Sequence, residues 1–197
     1  MSEPMNPTYE RTYKRYLKEA LLIDDPAKRI LKADCSNEYH GHPLSEDFCL
    51  PIGGIVPLMV AEVVCIEIDK KKVEDTRKLF PKMDIVVGDI RNLPFEDKSF
   101  DAVMDFSTLD HVPHANGEKV IQEYHRVLKE KGDLILVVWT AKNGPSQNAG
   151  LDQYNYPVKD IQRYLEEYFD VSHEEVLICE DNNLNLVLWR AKKKEKK

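Results

Sequence analysis

The chain has 197 residues, of which 35 are Asp or Glu and 28 are Lys or Arg, so its formal net charge is −7. This length fits one domain with a single hydrophobic core. The acidic balance argues against a protein that binds nucleic-acid phosphates mainly by electrostatic attraction. The N-terminal residues are polar and charged, and no apolar stretch approaches membrane-spanning length. We therefore expect a cytoplasmic protein without a signal peptide.

A helix is predicted over residues 7–23, where aromatic and apolar side chains recur at helical spacing ahead of Pro26. Its stripe of Tyr9, Tyr13 and Tyr16 either docks the helix on the core or lines a ligand pocket, and docking is the interpretation we favour. We therefore expect a helix that precedes the first strand.

The segment RILKADCSNEYHGHP contains the predicted first strand and the loop that follows it. The four cysteines of the chain show no C-x-x-C spacing, so we expect free thiols in a reducing compartment. Cys35, His40, His42 and Cys49 have the residue types of a tetrahedral zinc site. Their spacing matches no familiar zinc finger, so we predict no metal there.

Two short apolar runs in the middle of the chain each end in a carboxylate. Ile85 to Val87 leads into Gly88 and Asp89, and Ala102 to Met104 leads into Asp105. In an open parallel sheet, ligands bind at the carboxyl ends of the strands. These acids are therefore candidate binding residues.

The following segment predicts a helical crossover between parallel strands. Apolar residues between Gly117 and Glu130 fall on one helical face, and Gly132 follows as a helix stop. The run from Leu134 to Trp139 is the next predicted strand. Together these elements form a strand–helix–strand unit.

The C-terminal part combines an irregular stretch, a helix and a hairpin. Residues 143–157 are predicted to be irregular, and their amide and aromatic groups suit either a small polar ligand or an ordinary surface loop. An amphipathic helix is predicted around Ile161 to Tyr168, followed by strand-like runs near Val176 to Cys179 and Leu186 to Trp189. Residues 192–197 are predicted to be a solvated charged tail.

The middle of the chain carries a family resemblance. GDIRNLPFEDKSFDAV, followed by a helix that ends in RVLKEKGDLILV, resembles the second half of a class I S-adenosylmethionine-dependent methyltransferase. Upstream, VVCIEIDKKKVEDTRKLFP is similar to that family's second strand and second helix. The resemblance implies an α/β fold over residues 1–191: a single-domain doubly wound sheet of seven strands, mostly parallel, with an antiparallel C-terminal hairpin.

The resemblance also implies cofactor-binding residues. Glu67, followed by Ile68 along the cofactor, would accept hydrogen bonds from the ribose diol, a task that suits the paired oxygens of a carboxylate. Asp89 would accept from the adenine amine, and the backbone N–H of Ile90 would face the ring. Asp69 is the predicted N-cap of the helix that follows. Alternatively, Glu67 is an exposed strand-end charge and Asp89 a turn-forming residue.

Four further residues are candidates next to the acceptor. Asp105 and Phe106 resemble the family segment that lies along the cofactor and faces the acceptor. His111 could serve as a base near neutral pH, with Asp110 orienting it. The alternative is that the LDHVPH segment only forms the turn before the next helix.

The chain departs from the family pattern after the first strand. No glycine occurs between Arg29 and His40, so the glycine-rich cofactor loop is absent. Asp34 and Glu38 could pair with the cofactor's amino group and sulfonium in its place, because they follow the strand at the same edge. The alternative is a variable surface loop.

The resemblance implies an S-adenosylmethionine-dependent methyltransferase that acts on a small-molecule acceptor, with neither a membrane nor a nucleic acid as its partner. Methyl transfer is an in-line displacement, which mainly requires that donor and acceptor be held in line. The missing glycine loop leaves open a catalytically inactive binding or scaffold protein of the same fold. A nicotinamide enzyme is disfavoured because the G-x-G-x-x-G fingerprint is absent.

Overall fold

The computed structural model describes residues 15, 18, 22–23, 25–33, 61–142, 144–148, 153–179 and 184–195. Within the predicted N-terminal helix, residues 15, 18, 22 and 23 are helical, and the remainder of that helix lies outside the described residues. The predicted cofactor loop from Asp34 to His42 and the cysteine and histidine positions weighed for zinc also lie outside them.

The described residues form nine strands and three full α-helices. They are β1 (Arg29–Ala33), β2 (Glu62–Glu67), α1 (Lys70–Leu79), β3 (Asp84–Val87), β4 (Phe100–Phe106), α2 (Gly117–Val127), β5 (Leu128–Ala141), β6 (Ser146–Asn148), β7 (Gln153–Pro157), α3 (Val158–Tyr168), β8 (Phe169–Cys179) and β9 (Leu184–Lys193). Two short 3-10 helices, Leu109–His111 and His114–Asn116, lie between β4 and α2. None of the described helices has the length and hydropathy needed to cross a membrane.

One mixed sheet organises the molecule. Its main path runs β3-β2-β1-β4-β5, all parallel, and continues through β9, which pairs antiparallel with both β5 and β8. This confirms the mostly parallel sheet with an antiparallel C-terminal hairpin. A second hairpin, β6 and β7, joins the end of β5 through the pairs Thr140 with Tyr156 and Ala141 with Pro157. The region predicted as irregular thus contains paired strands.

Alternation along the strands divides the core between the two faces of the sheet. On one face, Leu134 and Leu136 of β5 belong to the main cluster with Tyr124 of α2 and Leu165 of α3. On the other face, Ile135 packs in a cluster with Ile23 and Met104, while Val73 of α1 packs on Cys65 and Ile85. Both faces of the sheet are therefore covered, as in a doubly wound fold.

The boundary between α2 and β5 differs from the prediction. The helix ends at Val127, and Leu128 already has extended backbone angles. Gly132 therefore lies inside β5 and does not stop a helix. An added Cβ at Gly132 would lie 2.9 Å from the Lys129 carbonyl oxygen and 3.1 Å from that of Asp101, where the β4–β5 register is irregular. Glycine is required there by close backbone approach.

The C-terminal boundary also differs from the predicted tail over residues 192–197. Strand β9 continues to Lys193, whose side chain is buried. Its Nζ donates a hydrogen bond to the Leu128 carbonyl oxygen at 2.7 Å. The buried lysine thus pairs its ammonium with a backbone acceptor, which a run of lysines in the sequence does not reveal.

Candidate functional site

The turn between β2 and α1 fixes the first candidate residue. Glu67 ends the buried strand β2 and is only 5% exposed. Its Oε1 accepts a hydrogen bond from the Asp69 backbone N–H at 2.8 Å. The Asp69 side chain accepts from the backbone N–H groups of Lys71 and Lys72, at 2.7 and 3.2 Å, which confirms it as the N-cap of α1. The start of the helix thus orients the Glu67 carboxylate.

A close approach between β2 and β3 brings the second candidate to the same edge. The Gly88 N–H donates to the Glu67 carbonyl oxygen at 2.9 Å. A Cβ at Gly88 would lie 2.7 Å from Cδ1 of Ile66, so a larger residue would displace the Ile66 side chain. Because Asp89 follows directly, its carboxylate lies at the same edge of the sheet as that of Glu67.

Asp89 is engaged by Arg91, a residue that the sequence analysis did not single out. Asp89 Oδ1 accepts from the Arg91 backbone N–H at 2.8 Å and from its Nε at 2.9 Å. Oδ2 accepts from Nε at 2.9 Å and from Nη2 at 2.6 Å. These hydrogen bonds hold the pKa of the Asp89 carboxyl below its usual value. Such a bidentate pair is the strong form of an ion pair.

A cleft of about 390 Å³ collects most of the predicted cofactor residues. It is lined by Ile66, Glu67, Ile68, Lys72, Gly88, Asp89, Ile90, Arg91, Thr108, His111 and Val112. Glu67, Ile68, Asp89 and Ile90 are thus brought together, and His111 lies in the same wall. The Ile68 side chain is 63% exposed, which offers an apolar surface to a ligand. Lys72, Arg91, Thr108 and Val112 have no motif that would have marked them in the sequence.

Asp105 and Phe106 are not among the described residues that line this cleft. Asp105 is fully buried, and its carboxylate accepts from the Tyr124 hydroxyl and from the Thr108 backbone N–H, each at 2.8 Å. Burial raises the pKa of this carboxyl. Phe106 packs against the apolar cluster on the opposite face of the sheet. Asp105 therefore ties β4 to α2, and neither side chain lies where a contact with the cofactor was predicted.

Asp110 and His111 face different surroundings. His111 is exposed in the cleft, whereas Asp110 is 1% exposed and accepts from Gln153 Nε2 at 3.3 Å. Burial, and next the nearby charge of Asp105, raise the pKa of Asp110 to about 8. The orientation of His111 by Asp110 stays a prediction.

Comparison with known proteins was made against families, curated sequences and solved structures. A family model described as a methyltransferase domain matches residues 52–136. A methyltransferase-named protein of Encephalitozoon cuniculi is 31% identical over 124 residues, which cover 58% of this chain and 57% of that protein. The demethylmenaquinone methyltransferase of Thermotoga maritima is 33% identical over 76 residues, 39% of this chain and 32% of that enzyme. The chain thus spans little more than half, or less, of these relatives' own length.

Solved structures share the fold at low sequence identity. The geranyl diphosphate C-methyltransferase of Streptomyces coelicolor A3(2), crystallised with Mg²⁺, geranyl diphosphate and S-adenosyl-L-homocysteine, superposes with a TM-score of 0.72 at 14% identity. That match covers 93% of this chain and 80% of the enzyme. The PH0226 protein of Pyrococcus horikoshii OT3 gives 0.67 at 20% identity, covering 98% and 94% of the two chains. At these identities the likeness establishes the architecture.

Proposed function

We propose that the chain is a class I S-adenosylmethionine-dependent methyltransferase that transfers a methyl group from S-adenosylmethionine to a small-molecule acceptor, since a methyltransferase-domain model matches residues 52–136. The proposal depends on one observation. Glu67 and Asp89 line the same cleft, at the carboxyl ends of the adjacent parallel strands β2 and β3. In open α/β sheets this edge is where ligands bind.

The residues of the cleft suit the chemical groups of the cofactor. The buried Glu67 carboxylate can accept two hydrogen bonds from a ribose diol while its backbone stays fixed by Gly88 and Asp69. The exposed Ile68 side chain and the Ile90 backbone can contact the two sides of a flat base. Bound there, S-adenosylmethionine would supply a methyl group activated by its sulfonium, and the chain's own residues would position it and exclude water.

Asp89 can accept a hydrogen bond from the adenine amine on one condition. Both of its oxygens already accept from Arg91, with two hydrogen bonds on each. A carboxylate offers about four lone-pair sites, so an incoming amine must displace part of this pair. We propose that the Arg91 guanidinium, which is 38% exposed, withdraws toward solvent when the cofactor binds.

The methionine end of the cofactor requires acceptors near the end of β1. We propose that Asp34 and Glu38 supply them in place of a glycine-rich loop, since they follow the last residue of β1 in the sequence. Because their role would be side-chain specific, the double change Asp34→Asn with Glu38→Gln should weaken cofactor binding and spare folding. Normal binding by that variant would return the segment to the status of a surface loop.

Isothermal titration calorimetry with S-adenosyl-L-homocysteine tests the proposed function. We expect one site per chain, and we expect Asp89→Ala to weaken binding by about 1–3 kcal/mol, the usual scale for losing an acceptor inside a site. Asp97→Ala is the matched control, because Asp97 also accepts from an arginine, Arg126, at 2.8 Å but is 71% exposed outside the cleft. No binding at millimolar ligand would favour the inactive scaffold protein.

A further inference from the structure

Unpartnered buried oxygen atoms concentrate at one edge of the described sheet. Five buried side-chain polar atoms of the described residues have no hydrogen-bond partner, and all are oxygens: Ser107 Oγ, Thr108 Oγ1, Asp110 Oδ1, Asn155 Oδ1 and Asn185 Oδ1. The first three follow β4, Asn155 belongs to β7, and Asn185 is paired in register with Thr140 near the end of β5. Buried polar groups are normally satisfied, so such a concentration requires an explanation.

Contacts between β7 and the 3-10 helix Leu109–His111 bring two of these oxygens to one side of β7. Gln153 and Asn155 point to the same face because side chains alternate along a strand. Gln153 Nε2 donates to Asp110 Oδ2 at 3.3 Å, and Asn155 Nδ2 donates to Ser146 Oγ at 3.1 Å. Gln153 therefore pairs with only one oxygen of the Asp110 carboxyl, and Ser146 pairs with only the amide nitrogen of Asn155. Asp110 Oδ1 and Asn155 Oδ1 remain available to a ligand.

This polar set adjoins the cofactor cleft. Thr108 and His111 line the cleft, and Asp110 lies between them in the chain with its carboxyl turned toward β7. Asp110 is 1% exposed and Asn155 is 2% exposed, so the unpaired oxygens are shielded from bulk water. The β6–β7 hairpin is joined to β5 by two register pairs, and the Tyr156 hydroxyl donates to the Val112 carbonyl oxygen at 2.8 Å.

Burying an unpaired carboxyl lowers the free energy of unfolding. Unpaired amide and hydroxyl oxygens at this site lower it further. The hydroxyls of Ser107 and Thr108 can donate as well as accept, whereas the amide oxygens of Asn155 and Asn185 and the ionised Asp110 carboxylate only accept. A ligand that carries N–H or O–H groups would satisfy these three accepting groups. An apolar or purely hydrogen-bond-accepting ligand would leave them unpaired.

We propose, on the basis of the methyltransferase function above, that Asp110 and Asn155 form the acceptor subsite and that the methylated group is an amine or a hydroxyl. The lone pair of the acceptor's nitrogen or oxygen forms the new bond to the methyl carbon. The carbon–sulfur bond breaks, and its electron pair stays on sulfur. The proton that leaves the acceptor's nitrogen or oxygen is taken by Asp110 in its ionised form, so charge and atoms balance.

The test uses the full chain saturated with S-adenosyl-L-homocysteine and two small probes. Ethanolamine carries both kinds of donor, whereas ethylene glycol dimethyl ether has a similar chain with every donor replaced by a methyl ether. Backbone amide chemical shifts report binding of each probe. We expect ethanolamine to cause saturable shifts at residues 108–111 and 153–155, with an affinity in the millimolar range that suits so small a ligand. The ether should cause none.

Two variants separate a binding role from a structural one. Measured above pH 8, where Asp110 is largely ionised, Asp110→Asn should weaken ethanolamine binding about tenfold or more, because a charged acceptor is lost. The variant should leave the melting temperature unchanged or raised. Asp170→Asn, an exposed position on β8, should change neither quantity.

The proposal is overturned if the ether binds as well as ethanolamine, if ethanolamine gives no saturable shift, or if Asp110→Asn binds it normally. The wild-type comparison of the two probes stands even if the variant fails to fold. Failure of the protein to bind S-adenosyl-L-homocysteine would instead overturn the proposed function on which this inference rests.

Discussion

The Glu67 side chain is held in place by the turn that begins helix α1. Its Oε1 is occupied by the Asp69 N–H, and a glutamine oxygen can accept that hydrogen bond equally well. Glu67→Gln should therefore keep the turn and the melting temperature. It removes the charge and the paired acceptors, so we expect cofactor affinity to fall about tenfold. Calorimetry and thermal unfolding of the same variant measure the two effects.

The control for this change is Glu62→Gln on the same strand. Glu62 is exposed at the start of β2, where its Oε1 accepts from Arg29 Nε at 2.8 Å. Its replacement should leave cofactor affinity unaltered. A parallel loss of affinity and stability in Glu67→Gln would make Glu67 a structural residue.

Asp110 should give the protein a measurable dependence of stability on pH. Its pKa is raised from 3.8 to about 8 in the folded chain by burial and by the adjacent Asp105. Between those values the folded state binds more protons than the unfolded state, so the free energy of unfolding falls as pH rises. The slope from one such group is at most about 1.4 kcal/mol per pH unit, and the contribution is fully present only below the unfolded pKa.

Urea unfolding of wild type and Asp110→Asn at several pH values isolates this contribution. Asp105 and other carboxyls contribute to both proteins, so the difference between the two curves reports Asp110. We expect the variant to gain relative stability steadily from pH 4 to pH 8 and no further above that range. A difference independent of pH would mean that the Asp110 carboxyl titrates normally.

At the level of secondary structure, the first turn of α1 contributes both to the stability of the fold and to the position of Glu67 in the cofactor cleft. Asp69 caps the helix through Lys71 and Lys72, while its own N–H holds Glu67. Loss of an N-cap acceptor costs about 1 kcal/mol. Asp69→Ala should therefore lower the free energy of unfolding by about that amount. A loosened turn should also weaken cofactor binding slightly. Urea denaturation and calorimetry measure these two changes.

Asp75→Ala provides the comparison within the same helix. Asp75 forms exposed ion pairs with Lys71 and Lys78, at 3.0 and 2.9 Å. Exposed pairs of this kind stabilise proteins little. We therefore expect the Asp75 variant to lose less stability than Asp69→Ala and to bind the cofactor as wild type does. Equal losses in both variants would show that the cap is not the source of the effect.

Across the whole molecule, the sequence predicted what depends on periodicity and strand order. The strand-end position of Asp89 follows from a short apolar run that stops at an acid, whereas the family resemblance implied that of Glu67. The direction of Asp110 could not be predicted, because a 3-10 helix turns adjacent residues in ways that no repeat pattern encodes. Arg91 was missed because its role depends on a two-residue turn that aims its side chain back at Asp89.

A buried hydrogen bond joins helix α2 to strand β4 of the sheet. Tyr124 of α2 donates its hydroxyl to Asp105 Oδ2 at 2.8 Å, and both residues are fully buried. Tyr124→Phe keeps the ring in the core but leaves a buried carboxylate oxygen without this donor. Such an unsatisfied group costs about 1–3 kcal/mol, so we expect the free energy of unfolding to fall by that amount. Urea denaturation near neutral pH measures it.

Tyr168→Phe is the matched control for the Tyr124 prediction. The Tyr168 hydroxyl accepts from Gln122 Nε2 at 2.8 Å in an exposed contact, where water can replace the lost group. Its removal should therefore change stability little. The loss in Tyr124→Phe should also shrink as pH is lowered, because protonation of Asp105 removes the charge that the tyrosine hydroxyl stabilises. A loss equal in the two variants, or one independent of pH, would mean that this contact does not join helix α2 to the sheet.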